Sequence, residues 1–114
     1  MRNAIPRLAE RLILEAPTRS PDGGGGWQVT WTPLGTLWAE VRPVSARERV
    51  MGGRETSRIT HRVRIPSAPV DSPRRPLPEQ RFRQGSRIFD IRAVAEADDR
   101  HGYLVCWVEE GALP

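Results

Sequence analysis

The chain has 114 residues, one domain's worth spanning 1–114, with no room for a cofactor domain beside a substrate domain. Its 18 basic residues, all arginine, outweigh 14 acids for a net charge of +4. The single cysteine, Cys106, excludes an internal disulfide and a cysteine-built zinc site. No apolar run approaches the roughly 18 residues of a membrane span, and Glu10 and Arg11 break the N-terminal segment too early for a secretory signal; a soluble, cytoplasmic protein is expected.

Eleven prolines and ten glycines divide the chain into short pieces, and the pieces read as strands bounded by turn residues. The first runs from Leu8 to Glu15 and ends at Pro17, with a helix as the alternative because RLAERLILE is rich in helix formers. Asp22 and the four glycines Gly23–Gly26 form a flexible hairpin tip. The second strand begins at Trp27, where Trp27, Val29 and Trp31 alternate with Gln28, Thr30 and Thr32 and so share a face. Pro33 and Gly35 interrupt it, and it resumes from Thr36 to Arg42 with Leu37, Ala39 and Val41 on the apolar face.

Ser45–Ser57 lacks periodicity, apart from one short helical turn expected around Arg47 to Met51. The third strand, Arg58–Ile65, places Ile59, His61, Val63 and Ile65 on one face. Five prolines between Pro66 and Pro78 predict an extended, semi-rigid loop. Gln80–Arg83 and Arg87–Ala95 flank a turn at Gln84-Gly85-Ser86. Tyr103–Val108 is apolar on both faces, as expected of a central strand covered on both sides. The fold class is all-β: a small antiparallel barrel or sandwich of about six strands, with long loops and at most one short helix.

No catalytic constellation emerges, so the chain is not expected to be an enzyme, and no cofactor or metal is expected. His61 and His101 are not at metal-ligand spacing from each other or from Cys106. His61 reads as a structural histidine and Cys106 as a buried, inert thiol. The glycines at 23–26 do not lead into Gly-Lys-Ser/Thr, so no phosphate loop is formed.

Charge distribution is more informative. Residues 58–92 carry nine arginines against three acids, whereas residues 93–114 carry one arginine against five acids. Such segments are able to meet head to tail between identical subunits, the heterologous contact that closes rings. Trp38 stands on the polar side of its strand with Glu40 and Arg42, where a tryptophan is an interface anchor or lies under the protein's own loop. Arg74 and Arg75 in the proline-rich loop, and the Asp98-Asp99 turn, complete the expected subunit or partner interface.

The order of these pieces resembles the small head-closure, or head–tail joining, proteins of tailed phages. The resemblance rests on Leu12–Arg19 with its Pro-Thr turn, the Asp-Gly-rich hairpin Pro21–Gly26, and the Trp-Ala-x-Val segment Trp38–Val41. It continues through Ser45-Ala46-Arg47-Glu48, Thr60–Arg64 and the hairpin Arg81–Ile91. It covers about Leu8 to Glu110, and the stretch Pro66–Glu79 is longer than the family pattern.

The resemblance implies a β-barrel that assembles into a ring of six or twelve copies in the neck of a virion, prophage-derived particle or gene transfer agent. The ring would close the DNA-filled head below the portal and adaptor and dock the tail terminator or tail tube. Double-stranded DNA would pass through it with weak, non-specific contact. Assembly would take place in the bacterial cytoplasm. The connecting loop, with Arg47, Glu48, Arg49, Gly52, Gly53 and Arg54, would face and gate the channel. The alternative from the residues alone is a small basic barrel of the OB type that binds nucleic acid through Trp27, Trp31, Arg62 and Arg64.

Overall fold

A computed structural model of the chain describes residues 6–45, 58–97 and 102–111. Six strands follow in order: β1 (Glu10–Pro21), β2 (Trp27–Pro43), β3 (His61–Pro66), β4 (Arg81–Gln84), β5 (Arg87–Glu96) and β6 (Tyr103–Glu110). All pairings are antiparallel and close a barrel in the order β1-β2-β3-β6-β5-β4. Closure removes the sheet edges that would otherwise template pairing with other chains.

The strand alternative holds at the first segment, where β1 alternates, burying Leu12 and Leu14 while Arg11 stays exposed. Its bounds differ from those expected: it starts at Glu10 and does not end or turn at Pro17-Thr18 but continues to Pro21, with Pro17 opposite Trp31 and Thr18 opposite Thr30. The interior is filled by such alternating residues from every strand. Leu12, Ala39, Val63, Ile65, Phe82, Phe89, Leu104, Cys106 and Val108 are fully buried. Burying each of the larger side chains contributes about 1.5–3 kcal/mol. Ile59, Val63 and Ile65 do share the inward face expected of them, although β3 itself starts at His61.

The second and last strands also differ from expectation. Pro33 and Gly35 do not interrupt the second strand, which runs unbroken for 17 residues. The register instead slips by one: Leu14 lies opposite Gly35, but Glu15 lies opposite Pro33, leaving Leu34 as a bulge. Proline is tolerated here because β3 pairs with β2 only from Glu40 to Pro43, so Pro33 owes no hydrogen bond on that side. Nor is β6 covered on both faces. Leu104, Cys106 and Val108 point into the barrel, while Val105 and Trp107 remain partly exposed outside, because a barrel wall has only one interior.

The bulge sends β1 and β2 out of the barrel together. β4 pairs with β1 at Ile13–Glu15, so among the described residues Ala16–Pro21 and the facing residues of β2 have only each other as strand neighbours. The overhang of about six residue pairs spans about 20 Å, consistent with overall extents of 56 × 31 × 24 Å. At its tip the Asp22 Oδ1 accepts the N–H groups of Gly24 at 2.8 Å and Gly26 at 3.0 Å. The four-glycine tip is thus tied down by an aspartate. Those two N–H groups hold the Asp22 carboxyl below its ordinary value. The β4–β5 hairpin turns as expected at Gly85-Ser86, with Gly85 at φ 60°, which glycine adopts without steric cost.

Candidate docking surfaces

The outer wall is built from arginine and tryptophan. Arg11, opposite Trp38 on the neighbouring strand, lies 5.7 Å from its ring centroid. Arg62 lies 5.8 Å from Trp107, and Arg81 lies 4.1 Å from Trp31. Each pair places a guanidinium over a ring face, an arrangement worth about 0.5–1 kcal/mol where exposed. Trp27, at the hairpin's end, makes no such contact among the described residues and is 68% exposed.

Trp38 faces outward beside Glu40 and Arg42, as the alternation indicated, and is 52% exposed; it lies under no loop of the described residues. Glu40 is half-buried. It accepts the Arg7 backbone N–H at 3.1 Å and lies 3.6 Å from Arg42 and 3.9 Å from Arg64. Arg74 and Arg75 behave differently although adjacent. Arg75 turns inward and donates to the Ala68 carbonyl at 3.0 Å, bracing its own loop. Arg74 is exposed and lines a small cavity with Leu14, Leu34 and Gly35 at the hairpin's base. Asp98 and Asp99 lie outside the described residues, as do Arg47, Glu48, Arg49, Gly52, Gly53 and Arg54 of the expected channel loop and the short helical turn expected beside them.

The basic middle and acidic end of the chain meet first within one subunit. Arg87 makes a two-pronged pair with Glu110 at 2.8 and 3.0 Å, and Arg92 reaches Glu109 at 2.6 Å. Pairing with Arg87 holds the Glu110 carboxyl below its ordinary value. The part of the charge asymmetry expected to join subunits is therefore partly spent between β5 and β6.

One anchoring group was not apparent from sequence. Glu15 is 4% exposed and accepts hydrogen bonds from Arg81 Nε at 2.7 Å and Arg83 Nε at 2.8 Å. Burial by itself would raise its carboxyl, but hydrogen bonds from Arg83 and Arg81 and their charges together hold it below the ordinary range. This clamp ties β1 to β4 where the hairpin leaves the barrel. Glu15 sits one residue past the apolar Leu12–Leu14 run, and only the barrel closure reveals its partners, 66 and 68 residues away.

His61 and Cys106 fit structural roles. His61 Nδ1 lies 2.8 Å from Thr60 Oγ1, and its ring stands edge-on to Phe89 with centroids 5.4 Å apart. Burial pushes its pKa down. Burial pushes the Cys106 thiol up to about 12, leaving it protonated and unreactive at neutral pH. Among the described residues no three His, Cys, Asp or Glu side chains come together to hold a metal ion, and no helix is long and apolar enough to cross a membrane.

The platform expected of an OB-type barrel is not assembled as one patch. Trp31 is taken by Arg81 of β4, whereas Arg62 lies over Trp107 and Arg64 faces Glu40.

The model of the phage head completion protein family matches residues 4–111. The chain belongs to that family. Among solved structures it is similar to a chain in the virion of a native gene transfer agent particle. That match has 43% identity and a TM-score of 0.73, covering 94% of this chain and 98% of the other. It is also similar to a protein of Shigella flexneri 2a solved in solution, with 27% identity, a TM-score of 0.69, and coverage of 96% of this chain and 98% of that one. Comparison with curated protein sequences gives no match. As a member of that family the chain is a structural component of a phage-like particle, and both structural matches extend over nearly its whole length.

Proposed function

We propose that this protein forms a ring in the neck of a phage-like particle, closing the DNA-filled head below the portal and its adaptor and presenting the surface on which the tail terminator or tail tube docks. The observation that carries this reading is the family match over residues 4–111, joined to 43% identity with a chain of a gene transfer agent virion. Residues Arg47 to Arg54 would line or gate the channel. Trp38, with Glu40 and Arg42 beside it, would anchor a neighbour or a partner. DNA would pass without being gripped, since each phosphate neutralised adds salt-sensitive affinity that slows release.

The test is particle composition. Gently lysed source cells are fractionated, and the chain is quantified against portal and tail proteins by mass spectrometry. A fixed ratio to portal, with six or twelve copies per particle, is the expected result. Recovery of the chain only outside particles and bound to nucleic acid would overturn the reading in favour of a nucleic-acid-binding barrel. Deleting Gly52–Glu55 should leave the chain on particles while packaged DNA leaks; full DNA retention would count against a gating loop.

A further inference from the structure

The projecting hairpin has an apolar face that, among the described residues, is covered at Trp31 by Arg81 and is open at Trp27 and Val29. Trp27, Val29 and Trp31 lie directly across from Pro21, Arg19 and Pro17, so these six residues form one face of a two-stranded ribbon. Trp27 and Val29 are 68% and 47% exposed. The opposite face presents Thr18, Ser20, Gln28 and Thr30 and has nothing to bury. A lone two-stranded ribbon is marginal in water, and its edges suit strand addition poorly because Pro17, Pro21 and Pro33 carry no N–H donor. Docking through the tryptophan face is what remains.

The same chain exposes a second apolar feature of complementary kind. In the proline-rich loop between β3 and β4, Val70 is 75% and Leu77 is 51% exposed. The loop is not the extended segment expected of its prolines but a run of turns, in which the Ser72 N–H donates to the Pro69 carbonyl at 2.9 Å, Arg75 N–H to Ser72 at 3.0 Å and Gln80 N–H to Leu77 at 3.1 Å. A backbone held by prolines and turn hydrogen bonds has little entropy to lose on docking. Charge agrees with shape. Arg19 is exposed in the middle of the tryptophan face, and Asp71 and Glu79 are exposed in the loop. Among the described residues none of these three makes an ion pair within its own subunit.

Placement agrees as well. Arg74 of the loop lines the cavity at the hairpin's base together with Leu34 and Gly35, so loop and hairpin leave the barrel at the same end. Rotation about a ring axis leaves height unchanged. A hairpin leaning sideways therefore meets a neighbour's loop at its own level, and a reach of about 20 Å is comparable with the 24 Å and 31 Å widths of the molecule.

We infer that the tryptophan face of the hairpin in one subunit seats on the proline-rich loop of the next copy of this chain, with Arg19 facing Asp71 and Glu79. The contact is heterologous and closes a ring when repeated. The inference rests on the proposed ring and deepens it by naming the two surfaces.

The experiment is cross-linking in purified particles. Val29→Cys and Val70→Cys are made as separate variants carrying different tags and co-expressed, so that any product bearing both tags is intermolecular. Both positions are exposed, and Cys106 is buried with its thiol protonated, so the unsubstituted chain is a silent control for a short bis-maleimide. The expected result is a dimer carrying both tags, and a ladder of higher multiples for the chain bearing both cysteines. Arg19→Glu in the Val29→Cys variant should lower the yield several-fold. Same-tag dimers in excess over mixed ones would mean a face-to-face contact and overturn the inference. So would a chain present in particles with no mixed dimer, or one cross-linked instead to another particle protein. Absence of the unsubstituted chain from particles would instead sink the neck-ring reading itself.

Discussion

Replacing Glu15 tests whether the barrel is closed by the clamp at the hairpin's root. Its carboxylate is 4% exposed and takes one hydrogen bond from each of two arginines at 2.7 and 2.8 Å. Removing one partner of a buried ion pair costs about 3–5 kcal/mol because a charge is left uncompensated. Here the stranded charges are Arg81 and Arg83, whose side chains retain 20% and 36% exposure, so water recovers part of the loss. Glu15→Gln should therefore lower the unfolding free energy by about 2–3 kcal/mol at pH 7, read by urea denaturation with tryptophan fluorescence.

The pH dependence carries the same signature. Because the folded-state carboxyl lies below its ordinary value of 4.5, its contribution is fully present above that value and is lost as pH falls through the lower folded one. The gap between wild type and Glu15→Gln should narrow below about pH 4.5 and remain constant from pH 5.5 to 8. A change under about 0.5 kcal/mol at pH 7, or a gap that widens in acid, would refute the clamp.

Phe89→Ala removes a fully buried ring that also meets His61 edge-on, and should cost about 3–5 kcal/mol in the same denaturation assay. Gly85→Ala forces a side chain to φ 60° and should cost about 1–2 kcal/mol, seen as a lower Tm with the folded circular dichroism spectrum unchanged. Trp38→Ala should change stability by less than about 1 kcal/mol, since it forgoes one exposed Arg11 contact at 5.7 Å, while reducing the chain's recovery on particles. Loss of folding instead would make Trp38 part of the core.

Strand identity was legible because turns and alternation are local. Leu12/Leu14, Val63/Ile65 and the Gly85-Ser86 turn could each be read within a few residues. Which face is inside is a different matter. Alternation assigns residues to two faces but does not say which one meets the core. Trp27, Val29 and Trp31 share one parity with Leu37, Ala39 and Val41, yet the first three face outward and Ala39 is fully buried. The cause is the extra residue Leu34, and a bulge leaves no mark in a hydropathy pattern beyond the proline and glycine beside it. The Glu15 clamp was hidden for a related reason, since β1–β4 pairing joins the first strand to the fourth. The apolar outer face of β6 misled because an arginine stands in for a second layer: the Arg62 guanidinium lies over the Trp107 ring, 5.8 Å from its centroid.

The same bulge divides the molecule into a barrel that needs no partner and a ribbon that does. Barrel amides open only with global unfolding, so at a typical stability near 5 kcal/mol they should be protected on the order of a thousandfold or more. Ribbon amides between Thr18 and Thr30 are held by a two-stranded ladder with both faces wet, and local opening there costs close to nothing. Hydrogen exchange on the free chain should therefore show near-intrinsic rates across the ribbon against slow exchange at Leu12–Leu14 and Leu104–Val108. In assembled particles the ribbon should slow by at least tenfold while the barrel changes little, because a seated tryptophan face converts local opening into dissociation. Equal protection of ribbon and barrel in the free chain would show that the ribbon stands without a partner, and the physical reason for expecting its tryptophans to dock would be gone.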